Sequence, residues 1–89
     1  MKTKDEDRFT IYPNPTGNWV KIDYRFKDNN VNARLEIHDL MGKIIHQQDL
    51  RNDKDVKNID LSNIANGIYA VEIFNNNQLI KTQKLNVQH

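Results

Sequence analysis

Cysteine is absent from this chain of 89 residues. That absence excludes a disulfide framework, a thiolate zinc site and a cysteine nucleophile. An excess of charge of one sign is lacking too. The 13 Lys and Arg stand against 12 Asp and Glu, a net charge of +1, which leaves no electrostatic footprint for nucleic acid or an anionic membrane. No apolar run approaches the ~18 residues of a membrane-spanning helix. The opening segment Met1-Lys2-Thr3-Lys4-Asp5-Glu6-Asp7 is charged throughout and has no apolar stretch of the kind a signal peptide requires. Gly17, Gly42 and Gly67 are the only glycines and are isolated, so there is no glycine-rich phosphate loop. Ser62, the single serine, has no nucleophile-elbow pattern around it.

Ligand chemistry is as sparse. His38, His46 and His89 are the three histidines, and their spacing matches neither H-x₃-H nor H-E-x-x-H. They read as solvated side chains, and neither a metal nor a cofactor is expected. Asp53-Lys54-Asp55 alternates carboxylates in a way that suits calcium, but the glycine and terminal glutamate of an EF-hand loop are missing; a solvated crossover is the expectation. The chain is not expected to be an enzyme.

What the sequence has is alternation. Period 2 dominates and helical periodicity is nearly absent. In Trp19–Phe26, Val20, Ile22, Tyr24 and Phe26 fall on one face, and Lys21, Asp23 and Arg25 on the other. In 33–39, Leu35 and Ile37 fall inward and Arg34, Glu36 and His38 outward. This is the pattern of antiparallel sheets with one wet face. Further strands are predicted at Phe9–Tyr12, Lys43–Gln48, Val56–Asp60, Ile68–Phe74 and Leu79–Val87. Turn clusters separate them at Asn14–Asn18, Lys27–Asn30, Asp39–Lys43 and Asn75–Asn77, with a polar crossover over Asp49–Asp55. Seven short strands punctuated in this way predict an all-β, antiparallel, immunoglobulin-like β-sandwich, with a five-stranded barrel as the alternative. Its core is expected to include Val20, Ile22, Tyr24, Leu35, Ile37, Ile59, Leu61, Tyr69, Val71 and Ile73. Tyr69 opens the penultimate strand, the place of a tyrosine corner, so its hydroxyl is expected to bond backbone within Leu61–Ala65. Trp19 breaks the parity of its strand. It is either a cover for the core edge or an outward platform for a sugar or a protein.

Three local patterns occur in order: Tyr12-Pro13-Asn14-Pro15, then Asp39-Leu40-Met41-Gly42-Lys43, then Asn66-Gly67-Ile68-Tyr69 followed by a basic and apolar tail over Lys81–Val87. Together they resemble the type A C-terminal sorting domain of the type IX secretion system, over Phe9–Val87. The positions that fit the family's motifs are Pro13, Asn14, Pro15, Gly42, Lys43, Gly67, Tyr69, Lys81, Lys84, Leu85 and Val87. Gln83 and Asn86 stand where basic or apolar residues are frequent. The resemblance implies a seven-stranded immunoglobulin-like sandwich at the C-terminus of a larger cargo of a Gram-negative bacterium. Such a domain is recognised by the translocon and its outer-membrane shuttle protein, and is usually removed by a sortase-like C-terminal signal peptidase. The cargo passes through the periplasm and ends secreted or on the cell surface. Residues 1–8 then read as a linker remnant or a segment introduced for expression, and residues 9–89 as the sorting domain. A carbohydrate-binding or adhesive sandwich appended to a secreted enzyme is the competing reading, and a passive spacer a third.

Overall fold

The computed structural model describes residues 6–28 and 32–89. Seven strands follow one another: β1 (Arg8–Tyr12), β2 (Trp19–Arg25), β3 (Ala33–His38), β4 (Ile44–Leu50), β5 (Lys54–Asp60), β6 (Gly67–Asn75) and β7 (Gln78–Val87). All strand pairs are antiparallel. They form a three-stranded sheet, β1-β2-β5, and a four-stranded sheet, β4-β3-β6-β7. This is the immunoglobulin-like sandwich that the alternation calls for, and the barrel alternative falls away because the strands divide between two sheets. Met1–Asp5 and Asn29–Val31 lie outside the described residues, and with them part of the predicted Lys27–Asn30 turn and most of segment 1–8.

Period-2 patterning closes the core. Val20, Ile22, Tyr24 and Phe26 face Leu35, Ile37, Val71, Ile73, Leu85 and Val87, all buried, with Ile59, Leu61 and Tyr69 completing the cluster. Every core residue expected from the sequence is buried. Burial of this set supplies the dominant favourable term in folding. Near the β2 terminus, Tyr24 and Phe9 each meet Phe26 edge-on with ring centroids 5.5 Å apart. The buried Tyr24 hydroxyl has no hydrogen-bond partner among the described residues. Burial raises its pKa, and the charges of Asp55 and Asp53 add to the effect.

Two expectations are corrected. The crossover predicted over Asp49–Asp55 shrinks to residues 51–53, because β4 runs on to Leu50 and β5 begins at Lys54. Leu50 is the reason: it pairs with Ala33 and is fully buried, so the polar residues before it are the flanks of an edge strand. Glu36, expected on a wet outer face, is only 6% exposed. It does lie on that face, but Arg34, His38 and Glu72 close over it.

Register decides which loops meet. Trp19 pairs with Asp60, Tyr12 with Lys21, His38 with Ala70 and Gly67 with Val87. One end of the sandwich therefore gathers the turn 13–18, the turn 39–43, the crossover 61–66 and the last residues of the chain. The opposite end carries residues 51–53 and the β6–β7 hairpin. That hairpin turns on Asn76 and Asn77, at φ of 54° and 63°, the left-handed pair a type I′ turn demands and Asn tolerates.

Candidate functional site

The three motifs, far apart in sequence, converge on the end where β7 finishes. Both X-Pro peptides of Tyr12-Pro13-Asn14-Pro15 are cis. Proline contributes no N–H to a ladder, so β1 stops at Tyr12 and the chain crosses to the other sheet. There the Asn14 carboxamide does the work of a backbone amide. Its Nδ2 donates to the Lys84 carbonyl at 2.9 Å and its Oδ1 accepts the Asn86 N–H at 3.0 Å. Thr16 continues the pairing: its N–H donates to the Asn86 carbonyl and its carbonyl accepts the Gln88 N–H, both at 2.8 Å, a parallel bridge to Val87. Thr16 is buried, and its hydroxyl donates to the Trp19 carbonyl. The edge of β7 is thus closed from Lys84 onward, which removes a template for stray strand pairing.

The third motif ties in from the other side. The Leu61 N–H donates to the Asn18 carbonyl at 2.7 Å, and the buried Leu61 side chain plugs the sandwich end. The Tyr69 hydroxyl donates to the Ala65 carbonyl at 2.6 Å, the tyrosine corner expected from its position. Gly67 has φ of 155° and lies 3.9 Å from the Tyr69 ring at its Cβ position. His89 donates its N–H to Asn66 Oδ1 at 2.8 Å, and its Nε2 lies 2.7 Å from the Ile64 carbonyl oxygen.

The central motif is a self-contained turn. Asp39 Oδ1 accepts the N–H groups of Met41 and Lys43, each at 2.9 Å, and the Gly42 N–H returns to the Asp39 carbonyl at 3.0 Å. Gly42 takes φ of 85° with nothing within 4 Å of its Cβ position, so glycine is required there by backbone conformation and not by crowding. Asp39 carries this turn as much as Gly42 does, through the Asx chemistry by which an Asp side chain bonds backbone two residues on. The turn presents Lys43 together with Leu40 and Met41, the last 92% exposed.

The remaining motif positions divide by burial. Leu85 and Val87 are fully buried core residues. Lys81 pairs with Ile73 and Lys84 with Ala70, so the two lysines point from opposite faces of β7, Lys84 outward and exposed. Trp19 points outward at 48% exposure, with the Lys21 ammonium 5.6 Å from its ring centroid. Among the described residues, Asp53 and Asp55 do not join a group of three or more metal-ligand side chains. Asp55 is held below its ordinary pKa by the Val56 N–H, then by Lys57 and Asn52.

The histidines depart from expectation. None is free of partners: His46 Nε2 lies 3.2 Å from Gln48 Oε1, and His89 is tied as described. His38 converges with two carboxylates, which spacing along one strand could not reveal because Glu72 arrives from β6. Its Nε2 is 2.8 Å from Glu36 Oε1 and 3.2 Å from Glu72 Oε1, and its Nδ1 is 3.3 Å from the Gly42 carbonyl. Burial lowers the His38 pKa, but the hydrogen bonds to Glu36 and Gly42 and the charges of Glu72 and Glu36 outweigh it, and the net shift is upward. Glu36 is held below the ordinary carboxylate value, first by its hydrogen bond from Arg34.

Comparison with known proteins agrees with this architecture. The family described as "Secretion system C-terminal sorting domain" matches residues 10–88. No curated protein matches the chain. Among solved structures, the crystal structure of dimeric latent PorU from Porphyromonas gingivalis is similar, with a TM-score of 0.78 and 17% identity over 97% of this chain. The chain spans 10% of that protein's length, and at this identity the likeness is one of fold. The family match, by contrast, runs through every motif segment of the clasped end, and members of this family are typically not catalytic. The chain therefore belongs to the secretion system C-terminal sorting domain family, the C-terminal secretion signals of type IX secretion.

Proposed function

We propose that residues 9–89 form the address of a larger, covalently linked upstream cargo, and that the clasped end is the part the secretion machinery reads. In this reading the cargo crosses the periplasm, the translocon and its outer-membrane shuttle protein engage the folded domain, and a sortase-like peptidase removes it by cutting upstream of β1. Residues 1–8 are then linker or added sequence. The cargo ends secreted or on the cell surface, and the domain itself catalyses nothing and binds no nucleic acid.

The observation that carries this reading is the convergence of the three motif turns with the end of β7 on one end of the sandwich, Lys81 alone lying toward the other. There Pro13, Asn14, Pro15, Lys43 and Lys84 are exposed, while Gly42, Gly67, Tyr69, Leu85 and Val87 hold the surface in shape. Lys81, on the opposite face of β7 from Lys84, serves as a secondary contact. The test fuses the domain to a reporter bearing a periplasmic signal, in a cell with the type IX machinery. Lys43→Gln with Lys84→Gln lowers export while circular dichroism and melting stay unchanged. Arg25→Gln with Lys54→Gln, paired with each other at the opposite end of the other sheet, leaves export intact. Equal export from both double variants overturns the assignment of the clasped end.

A further inference from the structure

On the outer face of the four-stranded sheet, Glu36 of β3 pairs directly across from Glu72 of β6. Two like charges facing each other on neighbouring strands are destabilising unless a cation lies between them. The Nε2 of His38 fills that role, since its contacts with both carboxylates leave the three donor atoms within 4.8 Å of one another. Both ring nitrogens of His38 face oxygens that only accept, the Gly42 carbonyl on one side and the carboxylates on the other. The point between Nε2 and the two Oε1 atoms is therefore a place for positive charge, which a proton or a metal ion can supply.

We propose that Glu36, His38 and Glu72 bind a single divalent transition-metal ion, with zinc the best match, through Glu36 Oε1, His38 Nε2 and Glu72 Oε1. Three features support metal rather than a bare ion pair. The first is ligand spacing. A tetrahedral zinc with bonds of about 2.0–2.2 Å sets its ligands about 3.3–3.5 Å apart, and the present separations of 2.8 and 3.2 Å need only rotamer adjustment to reach that. The second is outer-shell support. Metal-binding histidines donate their other ring N–H to a carbonyl or carboxylate, and ligating carboxylates are themselves hydrogen-bonded. Here His38 Nδ1 faces the Gly42 carbonyl, and Glu36 Oε2 accepts Arg34 Nε at 2.7 Å. Arg34 is in turn fixed by Asn77 Oδ1 at 2.9 Å and by the Phe74 ring 4.2 Å away. The third is access. Glu36 is buried, but the side chains of His38 and Glu72 keep 19% and 25% of their exposure, which admits an ion and leaves its fourth position to water. The mixed nitrogen and oxygen set favours zinc over calcium or magnesium, which prefer oxygen alone. When the metal binds, the Nε2 proton leaves to solvent and the metal–nitrogen bond replaces the N–H.

The experiment titrates the untagged full chain with zinc chloride by calorimetry, with thermal melting in parallel. The expected result is one ion per chain and a rise in melting temperature that chelator reverses. Glu72→Gln keeps the shape of a partly exposed side chain and should weaken zinc at least tenfold. His38→Gln should do the same, and His46→Gln should leave affinity unchanged. Circular dichroism without zinc verifies the fold of each variant. Absence of binding to the parent chain overturns the proposal, as does binding that persists in both Glu72→Gln and His38→Gln.

Discussion

At the end of the sandwich where β7 finishes, Asn14, Thr16, Tyr69, Asn66 and His89 tie four chain segments together through hydrogen bonds. At the opposite end Phe9, Tyr24 and Phe26 pack ring against ring, and the Tyr24 hydroxyl is buried without a partner. A hydrogen-bonded clasp needs particular side chains at particular places, because direction and donor identity both matter. An apolar end needs volume and shape, which many residues provide. That difference explains why the recognisable motifs sit at one end only.

The contrast is sharpest for core truncation at the clasp. Leu61→Ala removes the plug beneath the crossover and should cost about 2–5 kcal/mol in urea unfolding. A cost near zero would mean the crossover is held by its hydrogen bonds alone. Next in size is Asn14→Ala. Losing two bonds to β7 at about 0.5–1.5 kcal/mol each should also speed hydrogen exchange at the Asn86 amide. If that amide stays protected, the carboxamide is not its partner.

The two buried tyrosines should respond with opposite signs. Tyr69→Phe deletes the bond to the Ala65 carbonyl and loses about 0.5–1.5 kcal/mol. Tyr24→Phe removes a hydroxyl that has been desolvated with no bond in return, so stability should hold or rise by up to about 1 kcal/mol. Equal losses at both positions would erase the distinction between the ends.

The smallest effect concerns acid. Ser62, through its hydroxyl and then its N–H, holds Asp60 below the usual carboxylate range. A carboxylate with a depressed pKa in the folded state contributes stability above its unfolded pKa, and that contribution fades as pH falls through the folded value. Ser62→Ala should therefore be slightly less stable than the parent near neutrality, and the gap should close below about pH 4. A gap that widens in acid would mean that Ser62 does not stabilise the Asp60 carboxylate.

How much of this was legible beforehand follows from the range of each interaction. Strand number, strand faces and the core from Val20 to Ile73 come from alternation, which acts over neighbouring residues. The Tyr69 corner was readable because its acceptor lies only four residues away. Leu50 was not, since one apolar residue after a polar run carries no period; its burial depends on Ala33 across the sheet.

An all-β chain of seven strands, the residues that face inward, the turns at Gly42 and Asn76–Asn77, and the resemblance to a sorting domain can all be read without coordinates. The strands, faces and turns follow from local steric preference or from period, whereas the resemblance rests on three motifs in order. Folding adds that the motif turns meet at one end, that Asn14 acts as backbone for β7 from 70 residues away, and that Glu36, His38 and Glu72 share a site. Those outcomes depend on register across strands, which the closing of two sheets over one core selects and which no local pattern encodes.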